Sequence, residues 1–245
     1  MQKRFVDLVK SSLSSLGLFA ARQYPDCVNG YRLTDDLAII VPGNAPLCFD
    51  IGANKGQTIE LLQSLYKQPV IHAFEPASAT FTALKNQAPG TGVHLHQLAF
   101  GEQVGVAEFR NYQQSELSSF LPMNPDKTEN IFAEEAVVSI ESVPVDTLDT
   151  FCATHHIDYI DLLKIDTQGF ELPVLRGGVN LLGQGKVKAV LLELNFAALY
   201  EGQSDPLEIL QLMRTHNMRL VDYYEKERAS ARELSWTTAL FMRYA

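Results

Sequence analysis

The chain has 245 residues, of which 46% are hydrophobic, and a formal net charge of −9 at pH 7. This length suits one α/β domain with short appendages around a single core. The negative charge, with no cluster of lysine and arginine, argues against a nucleic acid partner. Three scattered cysteines (Cys27, Cys48 and Cys152) do not form a disulfide framework or a zinc site, which favours a reducing, cytoplasmic compartment.

The first 43 residues are expected to form a helical extension of a domain that spans residues 44–245. Asp7 and Lys10 interrupt the apolar run that a targeting segment would need, whereas apolar residues over positions 5–16 recur at helical spacing. Such a helix could cover the core, cap a pocket as a lid or contact a second subunit in a homodimer. No stretch reaches the roughly 18 apolar residues of a membrane span.

Short apolar runs alternate with helical patterns along the chain, which is typical of a parallel sheet covered by helices. The predicted core strands are residues 47–50, 70–75, 93–98, 161–166 and 189–194. Helices are predicted over residues 57–66, from Ser78, and from Ser204 onward. Two final apolar runs, 219–224 and 235–243, have no helix between them and predict an antiparallel pair that closes the sheet.

Extra material lies between the third and fourth core strands. Residues 104–112 and 136–145 resemble strands, and the polar loop between them is broken by Pro122 and Pro125. Loops of that length in a compact domain are usually functional lids or mobile insertions, and we favour a lid over the substrate. Ser118 and Ser119 are candidate acceptor-binding residues there, although solvated loop serines are common.

The glycine turn after the first strand has the sequence DIGANKGQT, residues 50–58. A carboxylate at the mouth of this turn, Asp50, would repel a pyrophosphate and attract an ammonium or a sulfonium. S-adenosylmethionine carries both cations and no phosphate, so the turn favours that cofactor over a dinucleotide. Glu75, after the second strand, has two acceptor oxygens for the hydroxyls of a ribose, which would serve NAD equally well.

Five motifs occur in a fixed order along the chain. They are DIGANKGQT (50–58), FEPAS (74–78), SVPVDTLD (142–149), LLKIDTQGFELPVLRG (162–177) and LLELNF (191–196). This ordered set resembles the FkbM family of methyltransferases over residues 47–196. The resemblance implies a Rossmann-like class I fold, with a mostly parallel seven-stranded sheet, an antiparallel final strand, and an extra strand pair and lid-like loop inserted between the third and fourth core strands.

The resemblance also implies roles for individual residues. The candidate cofactor-binding residues are Asp50, Gly52, Asn54, Gly56, Glu75, Pro76, Ala99 and Phe100. The candidate catalytic residues are Asp166, Glu193 and Lys164, because Asp166 and Glu193 end adjacent core strands and Lys164 shares a strand face with Asp166. Gln168, Glu171 and Asn195 are candidates for binding the acceptor. Structural roles stay open for Asp166 as a turn acid, for Glu171 as a first-turn residue and for Phe100 as a core residue.

The expected activity is S-adenosylmethionine-dependent O-methylation of a sugar, glycan or secondary metabolite. A nicotinamide-dependent oxidoreductase and a non-catalytic interaction module are the alternatives; the missing third glycine argues against the first and the intact motifs against the second. No metal site is predicted, although the strand carboxylates could hold a divalent cation. His94 and His96 share a strand face but have no third ligand at a recognisable spacing.

Overall fold

The structure is a computed structural model that describes residues 27–87, 90–228 and 232–244. Its strands are β1 Leu47–Ile51, β2 Val70–Phe74, β3 Val93–His96, β4 Ala99–Phe100, β5 Gly105–Tyr112, β6 Val137–Asp146, β7 Ile160–Ile165, β8 Val187–Asn195, β9 Met218–Glu227 and β10 Trp236–Arg243. Its helices are α1 Leu33–Ile40, α2 Gln57–Leu65, α3 Ser78–Asn86, α4 Leu148–Thr154, α5 Glu171–Arg176, α6 Val179–Gly183 and α7 Pro206–Thr215. A short 3₁₀ turn spans Ser115–Leu117.

The main sheet has seven strands in the order β3-β2-β1-β7-β8-β10-β9. The first five are parallel, and β10 inserts antiparallel between β8 and β9. This confirms the predicted mostly parallel sheet with its antiparallel final strand. Because the parallel strands share one direction, the residues that follow β1, β2 and β7 meet the end of β8 at a single edge.

The inserted strands form a second, three-stranded sheet in the order β4-β6-β5. The predicted pair is present as the antiparallel β5 and β6, and β4 joins it in parallel through Ala99 and Phe100. The third core strand was predicted to run to residue 98, but β3 ends at His96. The chain leaves the main sheet there because Ala99 and Phe100 pair with β6 instead.

Apolar side chains cover both faces of the main sheet. One face packs Phe49, Leu163 and Val190 against Phe151 of α4, and the other packs Cys48 and Ile71 against α1 and α2. Near-continuous apolar strands are expected where a parallel sheet is buried on both sides. This burial holds the strand ends, and so the candidate site, in a rigid frame.

The predicted helix over residues 5–16 lies outside the described residues. Of the proposed extension, α1 packs on the sheet through the fully buried Leu37. The buried Asp36 carboxylate accepts hydrogen bonds from the backbone amides of Asn29 and Gly30 and from the Tyr224 hydroxyl of β9 (2.7 Å). Within the described ranges, no helix is long and apolar enough to cross a membrane.

Candidate active site

A cavity of about 640 Å³ lies at the edge of the sheet where the parallel strands end. Its walls come from the glycine turn after β1, the ends of β2, β7 and β8, strand β4, the 3₁₀ turn and the start of β10. The sequence-predicted residues that line it are Gly52, Asn54, Glu75, Pro76, Ala99, Phe100, Ser118, Lys164, Asp166, Gln168 and Glu193. The predicted residues outside this lining are Asp50, Gly56, Ser119, Glu171 and Asn195.

The glycine turn requires its two glycines for different reasons. Gly52 has φ +79°, and a Cβ there would lie 1.9 Å from the backbone oxygen of Asp166. Gly56 has φ +91° and begins α2, where a Cβ would lie 2.9 Å from Leu84 Cδ1. Only a residue without a side chain lets β1 and the end of β7 approach so closely, so Gly52 brings the turn and Asp166 into one site.

Glu75 lies at the end of β2 and is tied to the glycine turn. Its carboxylate accepts hydrogen bonds from the backbone amides of Asn54 and Ala77, both at 2.9 Å. Burial raises its pKa to about 7, although those two hydrogen bonds oppose the rise. Phe100 is buried and packs edge-on against Phe74, with ring centroids 4.7 Å apart, so it serves both the core and the cavity wall.

A buried ion pair lies beneath the glycine turn. Asp50 and Lys164 are register partners on β1 and β7, and Lys164 Nζ lies 3.0 Å from Asp50 Oδ1. Lys164 also donates to the Gly52 carbonyl (2.9 Å), and its Nζ lies 3.6 Å from Oδ2 of Asp166, the residue predicted to share its strand face. Burial raises the pKa of Asp50 although the lysine opposes it, and the two carboxylates hold the pKa of Lys164 above its usual range against its burial.

Gln168 joins the two candidate catalytic carboxylates. Its Nε2 donates to Asp166 Oδ1 (2.8 Å) and to Glu193 Oε1 (3.2 Å). The Tyr200 hydroxyl lies 3.0 Å from Gln168 Oε1. Burial, and then the negative charge of Asp166, raises the pKa of Glu193 well above its usual range. The structure therefore brings Asp166 and Glu193 together and holds them with a neutral amide.

Glu171 and Asn195 act on the site from outside the cavity. Glu171 Oε1 accepts from the backbone amides of Thr167 (2.9 Å) and Gly169 (3.1 Å), and so holds the turn that carries Gln168 at φ +52°. Asn195 Nδ2 donates to Glu193 Oε1 (3.2 Å). Their direct contact with an acceptor stays a prediction.

The two serines of the inserted loop have structural partners. Ser119 is fully buried and donates to the backbone oxygen of Gln168 (2.8 Å). The Ser118 hydroxyl lines the cavity and accepts from the backbone amide of Tyr112 (3.2 Å). Both contacts fasten the loop beside the cavity.

The inserted loop contacts the glycine turn and closes over the cavity. The Ser115 hydroxyl lies 3.0 Å from Asn54 Oδ1, and Lys55 Nζ lies 2.6 Å from Glu116 Oε1. On the opposite side, the Tyr200 hydroxyl lies 2.9 Å from the Leu117 backbone oxygen. These contacts favour the lid interpretation of the loop over a plain mobile insertion.

The cavity residues that the sequence reasoning missed include Phe132, Leu199, Glu225, Trp236 and Thr238. They come from the inserted loop, from the segment that follows β8 and from the C-terminal strands, outside the predicted motifs. The chain alone carries no signal for Glu225, Trp236 and Thr238, because the order of β10 and β9 in the sheet decides that they reach the site.

Four histidines, His72, His94, His96 and His155, form an aromatic cluster away from the cavity lining. His72 Nδ1 lies 3.1 Å from His96 Nε2, and both rings pack near Phe151. Burial lowers the pKa of each to about 4, and the neighbouring histidines add to the effect. In the part of the chain that the structure describes, no group of three or more His, Cys, Asp or Glu side chains could hold a metal ion.

The sheet order and the glycine turn at its carboxyl edge define a class I methyltransferase. Residues 50–220 match the family described as the methyltransferase FkbM domain. The match spans more than half of the chain, and the protein belongs to that family.

Curated relatives agree with this assignment, and a solved structure shares the fold. The chain is 27% identical over 178 residues to the 2-O-methyltransferase NoeI of Sinorhizobium fredii, covering 69% of this chain and 71% of the relative. It is also 27% identical over 201 residues to the 31-O-demethyl-FK506 methyltransferase FkbM of Streptomyces tacrolimicus, covering 74% of each chain. The METTL16 MTase domain has the same fold, with a TM-score of 0.50, 9% identity, and coverage of 86% of this chain and 66% of that one.

The protein is thus an S-adenosylmethionine-dependent methyltransferase, and the family match gives no support to the oxidoreductase and interaction-module alternatives. The residues present fit this cofactor. The missing side chain of Gly52 keeps the backbone open beside the cavity. Among the described residues that line the cavity, Lys164 is the one cationic side chain, and it is paired with Asp50 and Asp166. It is therefore not free to bind a pyrophosphate.

Proposed function

We propose that the protein transfers a methyl group to a hydroxyl oxygen of a sugar, glycan or secondary metabolite. The observation that carries the proposal is the pair of carboxylates, Asp166 and Glu193, joined through Gln168 Nε2 beside the ends of the adjacent strands β7 and β8. An alcohol is a poor nucleophile and needs a base within reach of its proton. The names of two relatives, a 2-O-methyltransferase and a 31-O-demethyl-FK506 methyltransferase, support an oxygen acceptor.

In this proposal the glycine turn and β2 hold the methyl donor. Gly52 and Asn54 surround its amino acid end, Glu75 accepts from its ribose hydroxyls, and Pro76, Ala99 and Phe100 flank its adenine. Each Glu75 oxygen already accepts one backbone amide and keeps a second lone pair for a ribose hydroxyl. Asp50 and Gly56 lie outside the cavity lining and support the cofactor site indirectly. Asp50 does so through its ion pair with Lys164, and Gly56 does so as the N-cap of α2.

Asp166 is the proposed general base. When bound, S-adenosylmethionine supplies an electrophilic methyl group on a sulfonium. Asp166 receives the proton of the acceptor hydroxyl as the oxygen–carbon bond forms and the carbon–sulfur bond breaks. Glu193, whose pKa is raised, keeps its proton to higher pH than an ordinary carboxyl group and can donate a hydrogen bond to the acceptor. Lys164, whose Nζ lies 3.6 Å from Asp166 Oδ2, holds that carboxylate in place.

Two measurements test the assignment of the site. Calorimetric titration with S-adenosylhomocysteine should give binding that Gly52→Ala abolishes, because its Cβ would clash with the Asp166 backbone. The matched control is Gly105→Ala, where a Cβ would meet nothing within 4 Å. In Asp166→Asn, methyl transfer to a hydroxyl acceptor should fall about 10²- to 10⁴-fold while S-adenosylhomocysteine still binds. Unchanged transfer by Asp166→Asn would contradict the proposed base.

A further inference from the structure

The charge of the cavity lining is strongly one-sided. Five carboxylates line the cavity, from Glu75, Glu116, Asp166, Glu193 and Glu225. Among the described lining residues the single cationic side chain is Lys164, and its ammonium is committed to Asp50 at 3.0 Å and Asp166 at 3.6 Å. No described cation in the lining is left to neutralise an anionic group of an acceptor.

The carboxylates divide between two ends of the cavity. Glu75 follows β2, whereas Glu225 lies on β9, five strand positions away in the sheet. At about 4.8 Å per strand the two are about 24 Å apart, which is farther than one nucleoside with an amino acid tail reaches. Glu225 therefore belongs to the acceptor end.

Glu225 is connected to the proposed catalytic pair by a neighbouring strand. Thr238 of β10 is the register partner of Glu193, and its hydroxyl lies 2.9 Å from Glu225 Oε2. Glu225 is exposed at the cavity mouth, in a left-handed conformation with φ +50°. Glu193, Thr238 and Glu225 thus form a row of polar side chains at the acceptor end.

An aromatic pair forms another part of this end. Trp236 and Phe132 both line the cavity, with ring centroids 6.0 Å apart. Aromatic faces pack against apolar surface, and carboxylate oxygens accept from hydroxyl groups. The combination suits an acceptor ring that packs an apolar face against Trp236 and Phe132 and directs its hydroxyl groups toward the carboxyl groups of the cavity.

We propose that the acceptor end admits a hydroxyl-bearing ring that is uncharged or positively charged and rejects one that carries a phosphate or carboxylate, and that Glu225 is a specificity-determining residue. This inference rests on the proposed function. An anion placed here would lose its water without gaining a cation and would face the carboxylates of Asp166 and Glu225. A neutral or amino-bearing ring would incur neither cost.

The test compares matched acceptors. The probes are methyl hexosides and hexosamines, each paired with the corresponding hexuronic acid or hexose 6-phosphate, and the measurement is methyl transfer from labelled S-adenosylmethionine. We expect kcat/KM for the neutral or amino-bearing member to exceed that of its anionic partner by at least about tenfold. Emission from Trp236, the single tryptophan of the chain, should change with the neutral and amino sugars and not with their anionic partners.

Glu225→Gln removes the charge and keeps an oxygen that can accept from Thr238. The substitution should lower the ratio of kcat/KM for the neutral acceptor to kcat/KM for its anionic partner roughly two- to fivefold, which is the effect of one exposed charge. Glu227→Gln is the matched control, because it removes the same charge from an exposed position of β9 that does not line the cavity, and it should leave the ratio unchanged.

The outcomes separate the two proposals. Equal or faster methylation of the anionic members would overturn the inference while leaving hydroxyl methylation intact. An unchanged ratio in Glu225→Gln would overturn the assignment to Glu225. No labelling of any probe, with S-adenosylhomocysteine still bound, would count against a sugar acceptor in the proposed function and so against the inference that rests on it.

Discussion

The ammonium of Lys164 lies 3.0 Å from the carboxylate of Asp50, on the adjacent strand and beneath the glycine turn. Asp50 is fully buried, and Lys164 also donates to the Gly52 carbonyl. The pair thus links β1, β7 and the turn that lines the cavity. Because both side chains are buried, removing either one would leave the charge of the other without a counterion.

Lys164→Met should lower the free energy of unfolding by about 3–5 kcal/mol, because it leaves Asp50 buried without its counterion. Urea denaturation measures the loss, and Asp50→Asn together with Lys164→Met should recover part of it. The matched control is Lys186→Met, whose partner Asp158 is 95% exposed and whose loss should change stability by less than about 0.5 kcal/mol. Wild-type stability in Lys164→Met would refute the structural role of the pair.

Gln168→Gly should lower kcat while leaving the free energy of unfolding nearly unchanged. The substitution relieves the backbone at φ +52° but removes the amide between Asp166 and Glu193 and the contact with Tyr200. We expect unfolding free energy within about 1 kcal/mol of the wild type and a fall in kcat of about tenfold or more.

His156→Gly controls for the backbone effect. His156 is exposed, has φ +56° and does not line the cavity, so its replacement should relieve similar strain without changing kcat. A parallel change in kcat in both variants would indicate that backbone strain, and not the bridging amide, controls the rate.

Glu116→Gln should weaken the closure of the lid by removing its ion pair with Lys55. Both partners are about half exposed, so the dissociation constant of S-adenosylhomocysteine should rise only about two- to fivefold, with the difference shrinking at high salt. Stopped-flow dissociation measures the effect. Glu134→Gln breaks the ion pair with Lys127 in the same loop but outside the cavity lining, and it should leave the dissociation rate unchanged.

Glu171 should make stability depend on pH between about 4.5 and 7. Burial raises its folded pKa to about 7 from 4.5, so the folded state holds this proton more tightly than the unfolded chain. The stabilisation of the folded state by protonated Glu171 is therefore fully present below pH 4.5 and is lost as the pH rises through 7.

The measurement is the difference in unfolding free energy between the wild type and Glu171→Gln, followed by urea denaturation at several pH values. The glutamine keeps an oxygen for Thr167 and Gly169 and does not titrate, so its relative stability should rise by about 3 kcal/mol from pH 4.5 to 8. Glu129→Gln, at an exposed position, controls for the loss of one charge. A difference that stays constant with pH would contradict the raised pKa.

The class of fold follows from the amino-acid sequence alone, because apolar periodicity and glycine spacing are local properties. The parallel strands, the terminal antiparallel pair and the family motifs around Gly52, Glu75 and Asp166 all follow from residues close together in the chain. The same local reasoning extended the third strand to residue 98, because nothing local shows that Ala99 and Phe100 pair with β6.

Which polar groups come into contact depends on how the strands are ordered in the folded domain. Asp50 and Lys164 are 114 positions apart and form a pair because β7 inserts beside β1. Gln168 contacts Glu193 for the same kind of reason, since β8 lies beside β7. Glu225, Thr238 and Trp236 reach the acceptor end because β10 and β9 extend the sheet beyond β8. Such contacts depend on strand order, which is set by the packing of the whole domain and not by any segment of it.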